Sequence, residues 1–198
     1  QALTDLAREI TTTATPVRRL DETIPWASLP ATVDGSPTLG VADDTLEPVG
    51  ITDGLFVVSG PFQSGRTTAM RTIIHAVTAT SPPLPAYLLS ARPGDLAHAT
   101  AWTAAGTDVD DADDLANRLA MDLQSGAVPE ALIVIESSPE FEATAAEGSI
   151  ARLLKTARRA PGIRMVVETD TVTAGAAWQI FTELKTARGG IVLQPEET

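Results

Sequence analysis

The sequence predicts an α/β fold: a doubly wound, mostly parallel sheet with helices on both faces, preceded by an N-terminal arm. Three observations carry this reading. Short, continuous apolar runs recur along the chain, as parallel strands covered on both faces require. Stretches with apolar residues at helical spacing separate those runs, which is the rhythm of a doubly wound sheet. A glycine loop joins the first run to the first such helix.

The elements follow in order. Residues 1–14 place Leu3, Leu6, Ala7 and Ile10 on one helical face, and Pro16 breaks the pattern. Val17 to Pro48 reads as irregular, punctuated by Pro25, Pro30, Pro37 and Pro48, with Trp26 and Leu29 as anchors for the arm. Within it, Leu39 to Asp44 reads as a short strand and turn followed by Leu46 to Ile51, and strand additions at a sheet edge are expected there. The division expected is an arm over residues 1–54 and a single core domain over 55–198. Leu55-Phe56-Val57-Val58 is the first core strand, and Met70, Ile73, Ile74 and Val77 mark the helix after it at i, i+3, i+4 and i+7. Pro82, Pro83 and Pro85 close a loop before the second strand, Ala86 to Ser90. Residues 91–108 read as loop, with Trp102 inside. A helix from about Asp111 to Leu123 aligns Leu115, Leu119 and Leu123, and Gly126 and Pro129 end it. Ala131 to Ile135 is the third strand. Ile150, Leu153, Leu154 and Ala157 mark a helix stopped by Pro161-Gly162. Ile163 to Val167 is the fourth strand. Ala177, Ile180, Phe181 and Leu184 mark a last helix, ended by Gly189-Gly190, and Ile191-Val192-Leu193 is the fifth strand.

The loop after the first strand is the chemical centre. Gly60-Pro61-Phe62-Gln63-Ser64-Gly65-Arg66-Thr67-Thr68 sits between strand and helix, the context of a phosphate-binding P-loop. Its glycines let backbone N–H groups curl around an anion, and the helix N-terminus adds the positive end of its dipole. Arg66 stands where that pattern carries lysine. A plain strand-to-helix turn with an arginine after it is the alternative. Arg66 either grips phosphate as a planar fork or, in a loop built around lysine, points elsewhere and obstructs the site. Thr67 is the natural metal-side hydroxyl, and Thr68 begins the helix.

A P-loop hydrolase also needs a carboxylate for magnesium and a group that positions water. The third strand runs into Glu136-Ser137, where two acids would be usual. Glu136 either reaches magnesium through water or is a strand-end residue facing solvent, and Ser137 cannot polarise water as a carboxylate does. Glu140 and Glu142 lie nearby. The fourth strand ends in Glu168-Thr169-Asp170, where Thr169 is either a polar sensor close to a γ-phosphate or the start of a loop. Arg158, Arg159 and Arg188 are candidate arginines for a neighbouring subunit's site. ATP and magnesium are the cofactors these residues imply.

Composition narrows the classes. The 198 residues are 43% hydrophobic, enough for a core, and no run approaches the roughly 18 apolar residues of a membrane span. Gln1 opens no signal peptide, and the polar run Gln194 to Thr198 directly after a strand reads as the end of a piece of a larger chain. With no cysteine, there is no disulfide or thiolate metal site, and His75 and His98 stand apart without a partner at ligand spacing. The net charge is −12, with five aspartates from Asp108 to Asp114 against a small basic group at Lys155, Arg158 and Arg159. That balance disfavours direct DNA binding, which calls for a basic face.

The arm from Val17-Arg18-Arg19-Leu20 through Leu29-Pro30, then Leu39 to Val49, then Gly60 to Thr68, resembles in its order the ATPase modules of FtsK/SpoIIIE-type translocases. The likeness is greatest to the C-terminal modules of type VII secretion ATPases (EccC/EssC), whose last strand Gly189 to Pro195 also resembles. It covers most of the chain, but only the loop is a specific motif. The resemblance implies a RecA-like core, one of several ATPase modules in tandem, on the cytoplasmic side of a membrane-anchored protein-export motor that forms hexamers. It also implies that such downstream modules are degenerate, hydrolyse ATP slowly or not at all, and bind the C-terminal signal peptide of a secreted substrate. Arg66 and Glu136-Ser137 fit a degenerate module. The alternative is a nucleotide-free module that docks a substrate signal or a neighbouring domain.

Overall fold

A computed structural model describes residues 19–79, 83–171 and 178–194. The helix expected over residues 1–14, Pro82, Ala177 and Pro195 lie outside the described residues. The core is a six-stranded sheet in the order β6-β5-β7-β8-β4-β9, with every neighbouring pair parallel. Its strands are β4 (Gly54–Ser59), β5 (Ala86–Leu89), β6 (Ala104–Gly106), β7 (Ala131–Ile135), β8 (Ile163–Thr169) and β9 (Gly189–Val192). Between them run α1 (Arg66–Thr78), α2 (Val109–Ser125), α3 (Glu147–Ala157) and α4 (Gln179–Leu184).

Alternation along the strands divides the core in two. Leu132, Val134, Val58 and Val166 face α1, whose Met70, Ile73, Ile74 and Val77 close that side together with Ile51. Ile133, Ile135, Met165 and Val167 face the opposite layer, built from Leu115, Leu119, Ile150, Leu153, Ile180 and Phe181 on α2, α3 and α4. All five residues of β7 are buried, which explains its unbroken apolar sequence. Burying each such side chain contributes about 1.5–3 kcal/mol relative to exposure. The termini of α2 are set by chemistry visible in the sequence. Asp108 caps the start by accepting a bond from the Asp111 amide at 2.8 Å, and Gly126 ends it at φ 74°.

Four expectations are corrected. Among the described residues, the stretch expected as irregular up to Pro48 is not simply so, and it adds no strand to the main sheet. Instead β1 (Thr32–Val33), β2 (Ser36–Val41) and β3 (Pro48–Gly50) form a separate three-stranded antiparallel sheet. The turn that starts it is Asp34-Gly35, both at positive φ, which is hairpin chemistry. Residues 91–108 are not only loop. They hold a 3-10 turn at Asp95–His98 and the sheet's edge strand β6, so the sheet has six strands rather than five. Finally, Gly189 and Gly190 do not end the last helix; they belong to β9, opposite Phe56 and Val57. A side chain on Gly190 would meet the Val57 carbonyl at 2.6 Å, so glycine serves close strand approach there.

The small sheet packs on α1 through Ile51 and the half-buried Leu39. Trp26 sets its ring edge-on to His75 of the same helix, with centroids 5.8 Å apart, although it stays 40% exposed. No helix among the described residues is long and apolar enough to cross a membrane.

Candidate functional site

Parallel strands bring all their carboxyl ends to one edge of the sheet, the edge where ligands bind in such folds. Ser59 is in register with Thr169, and Ile135 with both Leu89 and Val167. The turn of Gly60, Glu136, Ser90 and the end of β8 therefore meet there. β8 lies between β4 and β7, so Glu168 and Thr169 stand between the glycine loop and Glu136.

The loop is a tight one. Ser64 donates its amide to the Pro61 carbonyl at 3.3 Å, and Gln63 and Gly65 take positive φ of 63° and 95°. Gly60 is hemmed in by the Ser64 side chain and by Leu193, whose Cβ and carbonyl oxygen both lie 3.0 Å from where a side chain would begin. Gly65 is the N-cap of α1, and no side chain caps that helix. The first-turn N–H groups, which have no partner within a helix, thus open on the loop. Phe62 is exposed at its tip, Thr67 is half-buried and Thr68 exposed.

Arg66 turns toward β8. Its Nη1 donates to the Thr169 carbonyl at 2.9 Å, and its Nε lies 3.3 Å from Glu168 Oε1. Glu168 is buried. Burial pushes its carboxyl up, Arg66 and the Ser137 amide oppose that, and the Glu140 charge adds to the rise. Glu136 is also buried and likewise pushed up, first by burial, then by the Glu168 and Asp95 charges, with bonds from Ser90 and the Leu96 backbone opposing. The Gly94 backbone closes over it: a side chain there would begin 2.6 Å from both carboxylate oxygens. Arg92 and Glu140 form a two-pronged pair beside it, with Nη2 to Oε1 at 2.7 Å and Nε to Oε2 at 2.8 Å.

Four buried oxygens along this edge have no protein partner among the described residues: Ser64 Oγ, Glu136 Oε2, Ser138 Oγ and Thr169 Oγ1. Buried polar atoms are normally bonded, so this concentration suits a site meant for water or a ligand. The cradle fits phosphate: open N–H groups, a left-handed glycine and unpaired hydroxyls. Magnesium fits less well. Among the described residues there is no cluster of three or more His, Asp or Glu side chains able to hold a metal, and Glu136 is walled in by Gly94.

The structure thus brings Arg66, Glu136 and Thr169 of the expected set to one edge beside Gly60–Thr68. Arg158 and Arg188 line a cavity at the opposite end of β4 with Asp53 and Phe56, and Arg159 lines another with Lys155 and Arg152. Glu168 belongs to no expected motif, and its one signal in the sequence is its place at the end of an apolar run, directly before Thr169.

No family model and no curated protein matches the sequence. Among solved structures, the chain is similar to the cytoplasmic domain of the type VII secretion ATPase EccC from Thermomonospora curvata, with 23% identity, a TM-score of 0.69, and 91% of this chain covered against 24% of that one. ATPases 2 and 3 of the same organism's EccC, in complex with a signal sequence peptide, match at 20% identity and a TM-score of 0.71, over 91% of this chain and 38% of that one. ATPases 2 and 3 of EssC from Geobacillus thermodenitrificans match at 18% and 0.69, over 96% and 40%. The chain therefore spans less than half the length of each of these proteins. It has the RecA-like P-loop fold of type VII secretion ATPase modules.

Proposed function

We propose that this chain is an ATPase-type module of a type VII protein-export motor that holds ATP as a structural or regulatory ligand, with slow or no hydrolysis. The observation that carries this is the pairing of an open phosphate cradle, Gly60–Thr68, with a depleted catalytic edge. The cradle has the left-handed Gly65 and the uncapped start of α1. At the edge, Arg66 is engaged by Glu168 and Thr169, and the residue after Glu136 is Ser137 rather than a second acid. ATP supplies the phosphates that the cradle receives and the bond a hydrolase would cleave. The residues of this chain would supply binding: N–H groups of the loop would take phosphate oxygens, Thr67 would lie on the metal side of the nucleotide, and Thr169 Oγ1, buried without a protein partner among the described residues, would hold a water or a phosphate oxygen.

Neighbouring ATPase modules of one cytoplasmic chain, anchored to a membrane and assembled as a hexamer, complete this reading, with residues 1–54 as the arm on a core of 55–198. A second reading has a specific observation in its favour. One similar structure holds a signal sequence peptide, so a nucleotide-free module that docks such a peptide or a neighbouring domain is the alternative.

Calorimetric titration with ATP, with and without magnesium, separates the two. Micromolar, magnesium-dependent binding is expected, with a turnover assay showing little hydrolysis. Binding by Arg66→Lys alone would mean that the loop is intact and the arginine closes it. No binding by either protein would overturn the nucleotide reading in favour of the docking module.

A further inference from the structure

The Arg66–Glu168 pair lies in the wall of the site, where its two side chains are only 17% and 6% exposed. We propose that Glu168 sets the nucleotide affinity of the loop: it holds the Arg66 guanidinium against the end of β8, and Arg66 contacts phosphate only when that pair opens. This rests on the nucleotide reading above and names the residue that regulates it.

Three features carry the inference. Arg66 is the first residue of α1, directly after the left-handed Gly65, so its Cα is fixed beside the cradle and only the side chain can choose between phosphate and β8. Next, its guanidinium is already committed, with Nη1 on the Thr169 carbonyl and Nε on Glu168. Finally, opening the pair is costly, because removing one partner of a buried ion pair strands the other charge. Glu168 would be left with the Ser137 amide, facing the negative potential of Glu136 and Glu140. Arg92, which also acts on this edge, is committed to Glu140. A triphosphate must therefore compete with a carboxylate that the fold itself provides, and the two equilibria are coupled.

The test is a double-mutant cycle on the 198-residue chain, titrated with ATP and magnesium: wild type, Glu168→Gln, Arg66→Ala and the double variant, with thermal melts beside them. Glutamine keeps the volume of Glu168 and removes its charge. Glu168→Gln is expected to bind ATP roughly five- to tenfold more tightly, a modest coupling for a single ion pair, while its melting temperature without nucleotide does not rise. A residue that merely supports the fold would lose affinity together with stability. In the Arg66→Ala background, Glu168→Gln is expected to change nothing. Unchanged or weaker binding by a folded Glu168→Gln, or an equal gain without Arg66, overturns the proposal. If Glu168→Gln does not fold, Glu168→Asp, which draws the carboxylate back by one methylene, is expected to show a smaller gain, and its absence overturns the proposal equally. Wild-type binding that is indifferent to residue 168 sinks this inference alone. No binding by any of these proteins, or by Arg66→Lys, sinks the nucleotide reading with it.

Discussion

Glu136 shows how far a single residue departs from what its position in the sequence says. At the end of β7 it reads as either a magnesium-side acid or a solvent-facing strand end, but it is buried under Gly94 with one oxygen unpaired. Burial raises its carboxyl above the unfolded value of about 4.3. The folded state then holds the proton more tightly than the unfolded one, so stability falls as pH rises from the unfolded pKa through the folded one. Glu136→Gln removes that loss. Its melting temperature is expected to exceed that of wild type at pH 7, with the difference closing below about pH 4; melts across that range check it, and a gap that does not change with pH would refute it. The glycine loop was legible because its spacing is local. The partner of Arg66 was not, because Glu168 acquires its role only when α1 and β8, about a hundred positions apart, are brought together.

At the scale of elements, strong apolar periodicity marks the strands and helices of the described core, and the weak elements carry no such mark. The edge strand β6 is Ala104-Ala105-Gly106, with no β-branched or aromatic residue to mark it, and it is held by pairing to Tyr87 and Leu89. In the arm, the strand and turn from Leu39 to Asp44 are legible, but the separate sheet of β1, β2 and β3 is not. β6 also makes a demand that no propensity reveals. A side chain on Gly106 would begin 2.6 Å from the Ala112 amide nitrogen and 2.7 Å from the Asp111 carbonyl carbon, both backbone atoms of α2. Gly106→Ala must therefore push the first turn of α2 away from the sheet edge, disturbing the Asp108 cap as well. Overpacking of this kind costs about 1–3 kcal/mol. The expected result is a loss of that size in denaturant unfolding, with the site at the far side of β7 still binding nucleotide. A Gly106→Ala protein as stable as wild type would show that α2 has room to move.

Across the whole molecule, a mostly parallel sheet covered by helices on both faces follows from alternating strands and helices, and this much is legible in the sequence, whereas the strand order is not. The charge distribution was legible as a sum but not as a map. The net −12 is joined to an acidic start of α2, where Asp108 is occupied in capping the helix. Half of the fourteen Lys and Arg residues fall between Arg152 and Arg188, and several of them are already engaged. Arg164 pairs with Asp53 at 2.8 Å, Arg158 faces Glu183 at 3.4 Å, Arg152 donates to Asn117, and Lys185 lies over the Phe181 ring. Lys155 and Arg159 line one cleft, and Arg188 another. Each phosphate neutralised adds about −0.9 to the slope of log affinity against log salt. Three such cations give a slope near −3, opposed by the field of the remaining acids. Binding of a short DNA duplex by this chain is therefore expected to be weaker than about 10⁻⁴ M at physiological salt, at the limit of non-specific association. Fluorescence anisotropy over a salt series measures it directly. Micromolar affinity with a slope steeper than about −5 would mean that a basic surface forms beyond these three side chains, and would restore a DNA-translocating module as the reading of this fold.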